Sequence, residues 1–408
     1  ERTRPSRQRQ QCHLHLTSGV DETRVTDGVL PAGPVWPIAA AKLRVGDVEQ
    51  RGNVTPESGE VRFRMHVPAG RTTMQSWFYD GEGKEIAGAY YLAAERLPTA
   101  DPVKLILDTD MSGDADDVGT LAMLHALADR GECELLATIV NRADLTKASA
   151  AAVDAINTYY GRPELPIGTD KVGPTALQRT STYAPSLRDG FPNDIGADDR
   201  APDALDIYRQ TLSAQPDGSV TICSVGALSN LAELWRREPD LVKKKVRRLV
   251  IMGGEFPKSS RPETNIKTHL EASIVVANEW PGEIVWHGFE IGNVLITGER
   301  LKQTPSDNPV RRGYEKRRYQ NRASIDGGQP SYDQAAALFA VRGAEPEYWE
   351  VVSGGRVQLD AEGVSTWVDD PSGQHSYVKL VCPPQQLATV IESLMVTPPK
   401  RLIHGENK

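Results

Sequence analysis

VKLILDTDMSGDADDVGTLAMLHALADR, residues 103–130, is the stretch that decides how this chain folds. Apart from Lys104, its first five residues are large and apolar, as in a strand buried on both faces. Its last thirteen carry apolar residues at helical spacing. Between the two lie five aspartates in ten positions: Asp108, Asp110, Asp114, Asp116 and Asp117. A strand that runs through a short loop into a helix opens a βαβ unit, and ligands of such sheets sit outside the carboxyl ends of the strands. Five carboxylates so close repel one another. The helix N-terminus offsets this by less than about 1 kcal/mol for exposed groups. A hard divalent cation with oxygen ligands explains the cluster better. The spacing does not continue as an EF-hand loop would.

The pattern repeats downstream. CELLATIV (133–140), SVTICSVG (219–226), RRLVIMGG (247–254) and GEIVWHGFE (282–290) read as strands. Helical periodicity marks 118–130, 144–160, 203–214, 228–237, 271–279, 333–341 and 384–396. Buried Val/Ile/Leu strands alternating with helices predict an α/β fold with a mostly parallel sheet covered on both faces.

Upstream the text changes. Residues 1–20 are basic and polar, and a frayed tail is expected. From about 36 to 97, short alternating runs are separated by Gly, Pro and Asp turns, which predicts a small all-β module. Val61, Phe63, Met65 and Val67 alternate with polar residues, as in a half-buried strand. YDGEGKE (79–85) reads as a hairpin turn. LPTADP (97–102) is a plausible linker, which gives 1–97 as tail and accessory module and 98–408 as the catalytic domain.

The 408 residues contain 39 % hydrophobic and 25 % charged side chains, an ordinary globular balance that excludes collagen, coiled coil and disorder throughout. The net charge of −8 argues against a nucleic-acid partner. No run approaches the roughly eighteen apolar residues of a membrane span, so no membrane partner is expected. Cys12, Cys133, Cys223 and Cys382 are far apart with no metal spacing, and the last three are expected to be small buried apolar residues. No G-x-G-x-x-G, GxxxxGK[ST] or GxSxG motif is present. The chain starts without Met and shows no signal peptide, which leaves the compartment open.

DTDMSGDADDVGTLAML resembles the N-terminal metal motif of the inosine-uridine preferring nucleoside hydrolases, with two extra residues in the loop. VTICSVGALSNLAEL (220–234), RRLVIMGGEF (247–256), ETNIKTHLEAS (263–273) and SYDQAAAL (331–338) resemble four later motifs of that family, in the same order. The resemblance covers about 102–397. It implies a three-layer α/β/α sandwich with a Rossmann-like sheet. It also implies Ca2+-dependent hydrolysis of the N-glycosidic bond of ribonucleosides, giving ribose and free base. By position, Asp110, Asp117 and Asp333 would be carboxylate ligands of the metal, and Val225 would offer its backbone carbonyl. Asp110 would also be the general base. Asp116, Asn141, Glu263 and Asn265 would bind the ribose, with Asp333 beside it. Family habit implies a homo-oligomer.

The chemistry is self-consistent. Breaking the C1′–N bond builds oxocarbenium-like charge on the sugar, which clustered carboxylates stabilise. A metal lowers the pKa of a bound water and a carboxylate removes its proton. The departing base must leave as an anion or be protonated. Some family members have a His before the late Asp, implicated in protonating the base; here that position is Tyr332, which can donate a proton as a catalytic residue but is a poorer acid at neutral pH. In SLRDGFPND (186–194), Phe191 is placed to stack on a base and Arg188 or Asp189 to hydrogen-bond it. The family's Asp at a helix start is His269 here. His287 and Glu290 follow a strand toward the ligand edge and are read as structural. Gly253–Gly254 is read as a close-packing turn.

Residues 30–97 resemble the β-rich tail that follows the catalytic domain of some bacterial sulfatases. They carry no sulfatase active-site motif, and the association favours an exported protein. Three other readings remain beside the nucleoside hydrolase. One is hydrolysis of another ribosyl or glycosyl compound, and one is a non-catalytic sugar or nucleoside binder on the same fold. The third, a haloacid-dehalogenase-type phosphotransferase, also places DxD after a first strand, but its usual continuation is absent.

Overall fold

The computed structural model describes residues 37–55, 61–65, 67–68, 72–88, 101–141, 144–171 and 180–400, and three short strands at Arg9–Gln10, Thr23–Val25 and Gly28–Leu30. The chain divides into two compact units, Glu1–Pro98 and Thr99–Lys408.

In the first unit, Ala40–Val45 pairs antiparallel with Val48–Asn53 on one side and Met74–Tyr79 on the other, and Glu85–Ala87 adds an edge. Its core is Ala41, Leu43, Val45, Phe63, Met65, Val67 and Phe78. The turn after Tyr79 is closed by Asp80, whose Oδ1 accepts the backbone N–H groups of Glu82 (3.0 Å) and Lys84 (2.9 Å). The alternation at 61–67 buries Phe63, Met65 and Val67 as expected, but residues 61–65 join no ladder. Only Val67–Pro68 pairs, with Arg9–Gln10. Period-2 burial there reflects a chain laid across the core without strand neighbours. Cys12, most of the expected tail and most of the 97–102 linker lie outside the described residues.

The second unit is built on a nine-stranded sheet. Its elements are β1 (Val103–Thr109), α1 (Asp116–Asp129), β2 (Cys133–Val140), α2 (Ser149–Tyr159), β3 (Ile167–Thr169), α3 (Ala184–Gly190), α4 (Ala204–Ser213), β4 (Val220–Ser224), α5 (Ser229–Arg237), α6 (Pro239–Lys245), β5 (Val246–Met252), α7 (Thr264–Thr268), α8 (Leu270–Glu279), β6 (Ile284–His287), α9 (Phe289–Gly292), α10 (Pro309–Lys316), α11 (Tyr332–Arg342), β7 (Trp349–Leu359), β8 (Ser365–Asp369), β9 (His375–Leu380) and α12 (Pro384–Met395). The strand order is β3-β2-β1-β4-β5-β6-β9-β7-β8. The pairs from β3 to β9 are parallel, and β7 and β8 are antiparallel additions at one edge.

Alternation within each strand feeds two cores. Leu105 and Leu107 of β1 point to the layer of α1, α2, α11 and α12, while Ile106 points to that of α4, α5 and α8. This is a three-layer α/β/α sandwich. Helix α1 has no polar face: every residue from Asp116 to Leu127 is buried, as expected for a helix covered on all sides. Two sequence expectations change here. Cys133 and Cys223 are buried, but Cys382 lies in a partly open turn. Residues 186–190 belong to α3 rather than to a loop. Among the described residues no helix is long and apolar enough to cross a membrane.

Candidate active site

Strand order reverses between β1 and β4: β2 and β3 lie to one side of β1, and β4 and its successors to the other. Such a switch point opens a crevice at the carboxyl ends of the strands. Here the crevice is a cleft of about 180 Å³, lined by Asp110, Gly113, Asp114, Asp116, Val225, Met252, Glu263, Thr264, Asn265, Phe289, Arg317, Tyr332 and Asp333. Two larger grooves, of about 670 and 630 Å³, lie elsewhere. The first is lined by charges already paired with each other, such as Arg236 with Glu271 and Arg209 with Glu238.

The floor begins with Asp108 at the end of β1. It is buried and accepts from Asn141, from Tyr208 Oη (2.6 Å) and from Asn230 Nδ2 (3.5 Å). Burial pushes its carboxyl up to about 7, against those hydrogen bonds. Asn141 also accepts the Ala227 N–H at 3.2 Å. It therefore braces β1 against the β4–α5 turn and does not line the cleft. Gly226 is required in that turn, because a Cβ there would lie 2.6 Å from Asn141 Oδ1 and 2.8 Å from Asp110 Cβ.

The aspartate loop is shaped by its backbone. Ser112 sits at φ +111°, a costly conformation for a non-glycine residue. Its N–H donates to Tyr183 Oη at 2.7 Å. Asp117, at the start of α1, accepts from the Thr109 hydroxyl. Asp116 Oδ2 accepts the N–H groups of Tyr332 (3.2 Å) and Asp333 (3.4 Å), which ties α11 to the first turn of α1. Gln329, with its amide assigned to satisfy the network, accepts the Ala115 and Asp116 N–H groups at 3.0 Å each. It thus satisfies two N–H groups at the start of α1.

Oxygen ligands converge. Asp114, Asp116 and Asp117 bring carboxylate oxygens within 4.8 Å of one another. Asp110, Asp333 and Val225 line the cleft together with Asp114 and Asp116, whereas Asp117 is not among its lining residues. Asp116 Oδ1 is buried with no hydrogen-bond partner. Burial, and then Asp114, push the Asp116 carboxyl well above its ordinary range; burial, and then Asp116, do the same to Asp333. An all-oxygen, anionic set with an orphaned buried oxygen fits a hard divalent cation.

Opposite this floor, Glu263 caps α7. Its Oε2 accepts from the Asn265 (2.8 Å) and Ile266 (3.3 Å) N–H groups, and burial raises its carboxyl to about 7. Asn265 Nδ2 donates to the carbonyls of Val225 (3.0 Å) and Met252 (3.2 Å), so it fixes the carbonyl that faces the aspartates. Tyr332 stacks on Phe289 with ring centroids 5.2 Å apart, and Arg261 covers that Phe289 ring at 4.6 Å. The Tyr332 hydroxyl donates to Asn293 Oδ1 at 3.3 Å, and burial followed by the nearby Asp116 raises its pKa.

Several residues marked in the sequence lie away from the cleft. Arg188 pairs with Asp189 at 2.7 Å, and Phe191 packs on the core under Arg312. His269 caps α8 by accepting the Ala272 N–H. His287 ends β6 at the ligand edge, but its side chain is buried against Phe339 and Trp349 instead of lining the cleft, and it is held neutral, with a pKa lowered to about 3 by burial. Glu290 accepts the Phe256 N–H at 3.2 Å. Gly254, at φ +76°, makes the close turn after β5. Conversely, sequence reading did not mark Phe289 or Arg317, and it gave Asp114 no site role. The only signal for Arg317 was its place in the basic run RRGYEKRRYQNR (311–322).

Comparison with known proteins agrees with this architecture. A model of the family described as inosine-uridine preferring nucleoside hydrolase matches residues 105–384. An uncharacterized protein of Schizosaccharomyces pombe is 23 % identical over 283 residues, covering 64 % of this chain and 85 % of its own. A plant nucleoside hydrolase superimposes with a TM-score of 0.55 at 19 % identity, over 73 % of this chain and 100 % of its own. A purine-preferring ribonucleoside hydrolase of Gardnerella vaginalis gives 0.55 at 17 % identity, over 72 % of this chain and 99 % of its own.

Proposed function

Because this chain belongs to the inosine-uridine preferring nucleoside hydrolase family, we propose that it hydrolyses the N-glycosidic bond of ribonucleosides, giving ribose and free base, with Ca2+ as its metal. The observation that carries this reading is the meeting of Asp110, Asp114, Asp116, Asp333 and the Val225 carbonyl in one cleft at the β1/β4 switch point.

Asp110, Asp114, Asp116, Asp117, Asp333 and the Val225 carbonyl are the groups available to hold the cation. When bound, it would polarise the attacking water and engage the ribose hydroxyls. Asp110 is the carboxylate we assign to take the proton of that water. Asp116 has one oxygen committed to α11 and the other free for a ribose hydroxyl or the cation. The negative floor stabilises the positive charge that builds on the sugar. Asn265 holds the Val225 carbonyl in place, and Glu263 fixes the turn that carries Asn265. Asn141 acts from below, by orienting Asp108 and the Gly226 turn. Phe289 and Tyr332 form an aromatic wall for the substrate. We assign Tyr332 its ring rather than proton donation, because its hydroxyl is a still weaker acid than a free tyrosine.

The test is product analysis with a panel of purine and pyrimidine ribonucleosides. Hydrolysis requires ribose and free base in equal amounts. Release of ribose 1-phosphate that depends on added phosphate would contradict it. The weak acid at Tyr332 favours a second reading, hydrolysis of a ribosyl compound whose leaving group departs without protonation. Faster turnover as the leaving group becomes more acidic would identify it.

A further inference from the structure

We propose that Arg317 receives an anionic oxygen group, a phosphate or a carboxylate, carried by the ribosyl substrate. This rests on the hydrolase reading above and narrows its substrate class.

Arg317 is the single cationic side chain among the described residues that line the cleft, where it faces an otherwise acidic wall. A bland role would be neutralisation of the aspartates. Yet no carboxylate among the described residues lies within ion-pair distance of Arg317. A second bland role is capping α10, whose last turn it follows. The Arg317 side chain donates to none of that helix's carbonyls, and its Nε is buried without a partner. A buried unsatisfied Nε on a half-buried guanidinium in a cleft wall calls for an acceptor, and a planar fork of N–H donors suits phosphate or carboxylate.

The flanking residues point the same way. Residues 311–322 carry six basic side chains and one acidic one. Glu315 is taken up by Arg311 and Arg312. That leaves Lys316 and Arg318 beside Arg317 with no carboxylate partner among the described residues. Tyr319, two residues on, lies near enough to Tyr332 to influence its hydroxyl, so this strip borders the cleft. A neutral nucleoside would not use it.

The experiment uses the calcium-loaded full chain and products that do not react further. Calorimetry compares ribose 5-phosphate with ribose, and orotate with uracil, in the wild type, Arg317→Gln and Arg317→Lys. We expect one anionic ligand to bind about tenfold or more tighter than its neutral partner, the scale of a charge-assisted hydrogen bond. That ratio should collapse in Arg317→Gln and be partly kept in Arg317→Lys. The first pair reports a phosphate on the sugar, and the second a carboxylate on the base. A wild-type ratio near one for both pairs, or a ratio unchanged in Arg317→Gln, would overturn the proposal, as would failure of both anionic ligands to bind. Melting curves confirm that both variants fold. Parallel release of free base from inosine, inosine 5′-phosphate and orotidine separates the two claims: with none of the three cleaved the hydrolase reading fails, while the binding ratios still decide Arg317.

Discussion

The Tyr183 hydroxyl accepts the backbone N–H of Ser112 at 2.7 Å, across 71 residues of sequence. Ser112 is held at φ +111° in the middle of the aspartate loop. The chain thus pins its most acidic segment in a costly conformation by a bond from a fully buried tyrosine. Tyr183→Phe removes the acceptor and leaves that N–H unsatisfied, a loss of about 1–3 kcal/mol. We expect lower stability in urea titrations and weaker metal binding, because the loop loses its fixed turn. Unchanged metal affinity would show that the turn holds without Tyr183.

Asp114 separates stability from function. It repels Asp116 and Asp333 and, as a proposed ligand, would supply an oxygen to a bound cation. Asp114→Asn is therefore expected to melt about 1–2 °C higher than the wild type in chelator, the scale of 1 kcal/mol in a domain of this size. The same variant should gain less stability on adding calcium. Equal calcium-induced shifts in both proteins would remove Asp114 from the ligand set.

Tyr332 tests ring against hydroxyl. If the ring is the working part, Tyr332→Phe keeps kcat within about threefold, whereas Tyr332→Ala loses the stack on Phe289, worth about 0.5–1.5 kcal/mol, and raises KM. A loss of kcat in Tyr332→Phe of about a hundredfold or more, the range of general-acid catalysis, would restore the hydroxyl as proton donor.

Two buried histidines set a pH dependence. His125 and His287 have pKa values lowered to about 3, chiefly by burial, against about 6.5 in an unfolded chain. The folded protein keeps both neutral while the unfolded chain binds protons below about 6.5. The histidines' contribution to stability is therefore full above that pH and falls as the pH drops toward 3, by at most about 1.4 kcal/mol per unit for each residue, opposite in sign to that of the buried carboxyls of Asp108 and Glu263. His287→Leu, in a pocket formed by Phe339 and Trp349, should flatten the loss measured in urea between pH 7 and 5. An unchanged slope would mean that His287 accepts a proton in the folded state.

How much of this was legible in sequence follows from where each signal is local. Strands β1, β2, β4, β5 and β6 read clearly because residues such as Leu105, Ile106 and Leu107 are buried on both sides, so the run is apolar without alternation, whereas the parallel strands β3 and β9 carry no such run. Strands β7 and β8 did not, because Trp349–Leu359 contains Gly354 and Gly355 and has many exposed positions at the sheet edge. The aspartate loop was visible as a cluster. That Asp333 meets it depends on a contact across 217 residues and was suggested only by family resemblance. Phe289 and Arg317 reach the cleft because α9 and the end of α10 turn toward it, which no local pattern encodes. The ribose contact expected of Asn141 rests on family resemblance alone, and its amide is committed to Asp108 and Ala227.

The central claim is that the carboxylates at the β1/β4 switch point form a metal-dependent N-ribohydrolase centre. Its most direct test is ribose release from inosine by chelator-stripped protein during titration with calcium. The account predicts no release before titration, then a rise that saturates near one calcium per chain. Ribose release at full rate in the stripped protein, indifferent to added calcium, would contradict it.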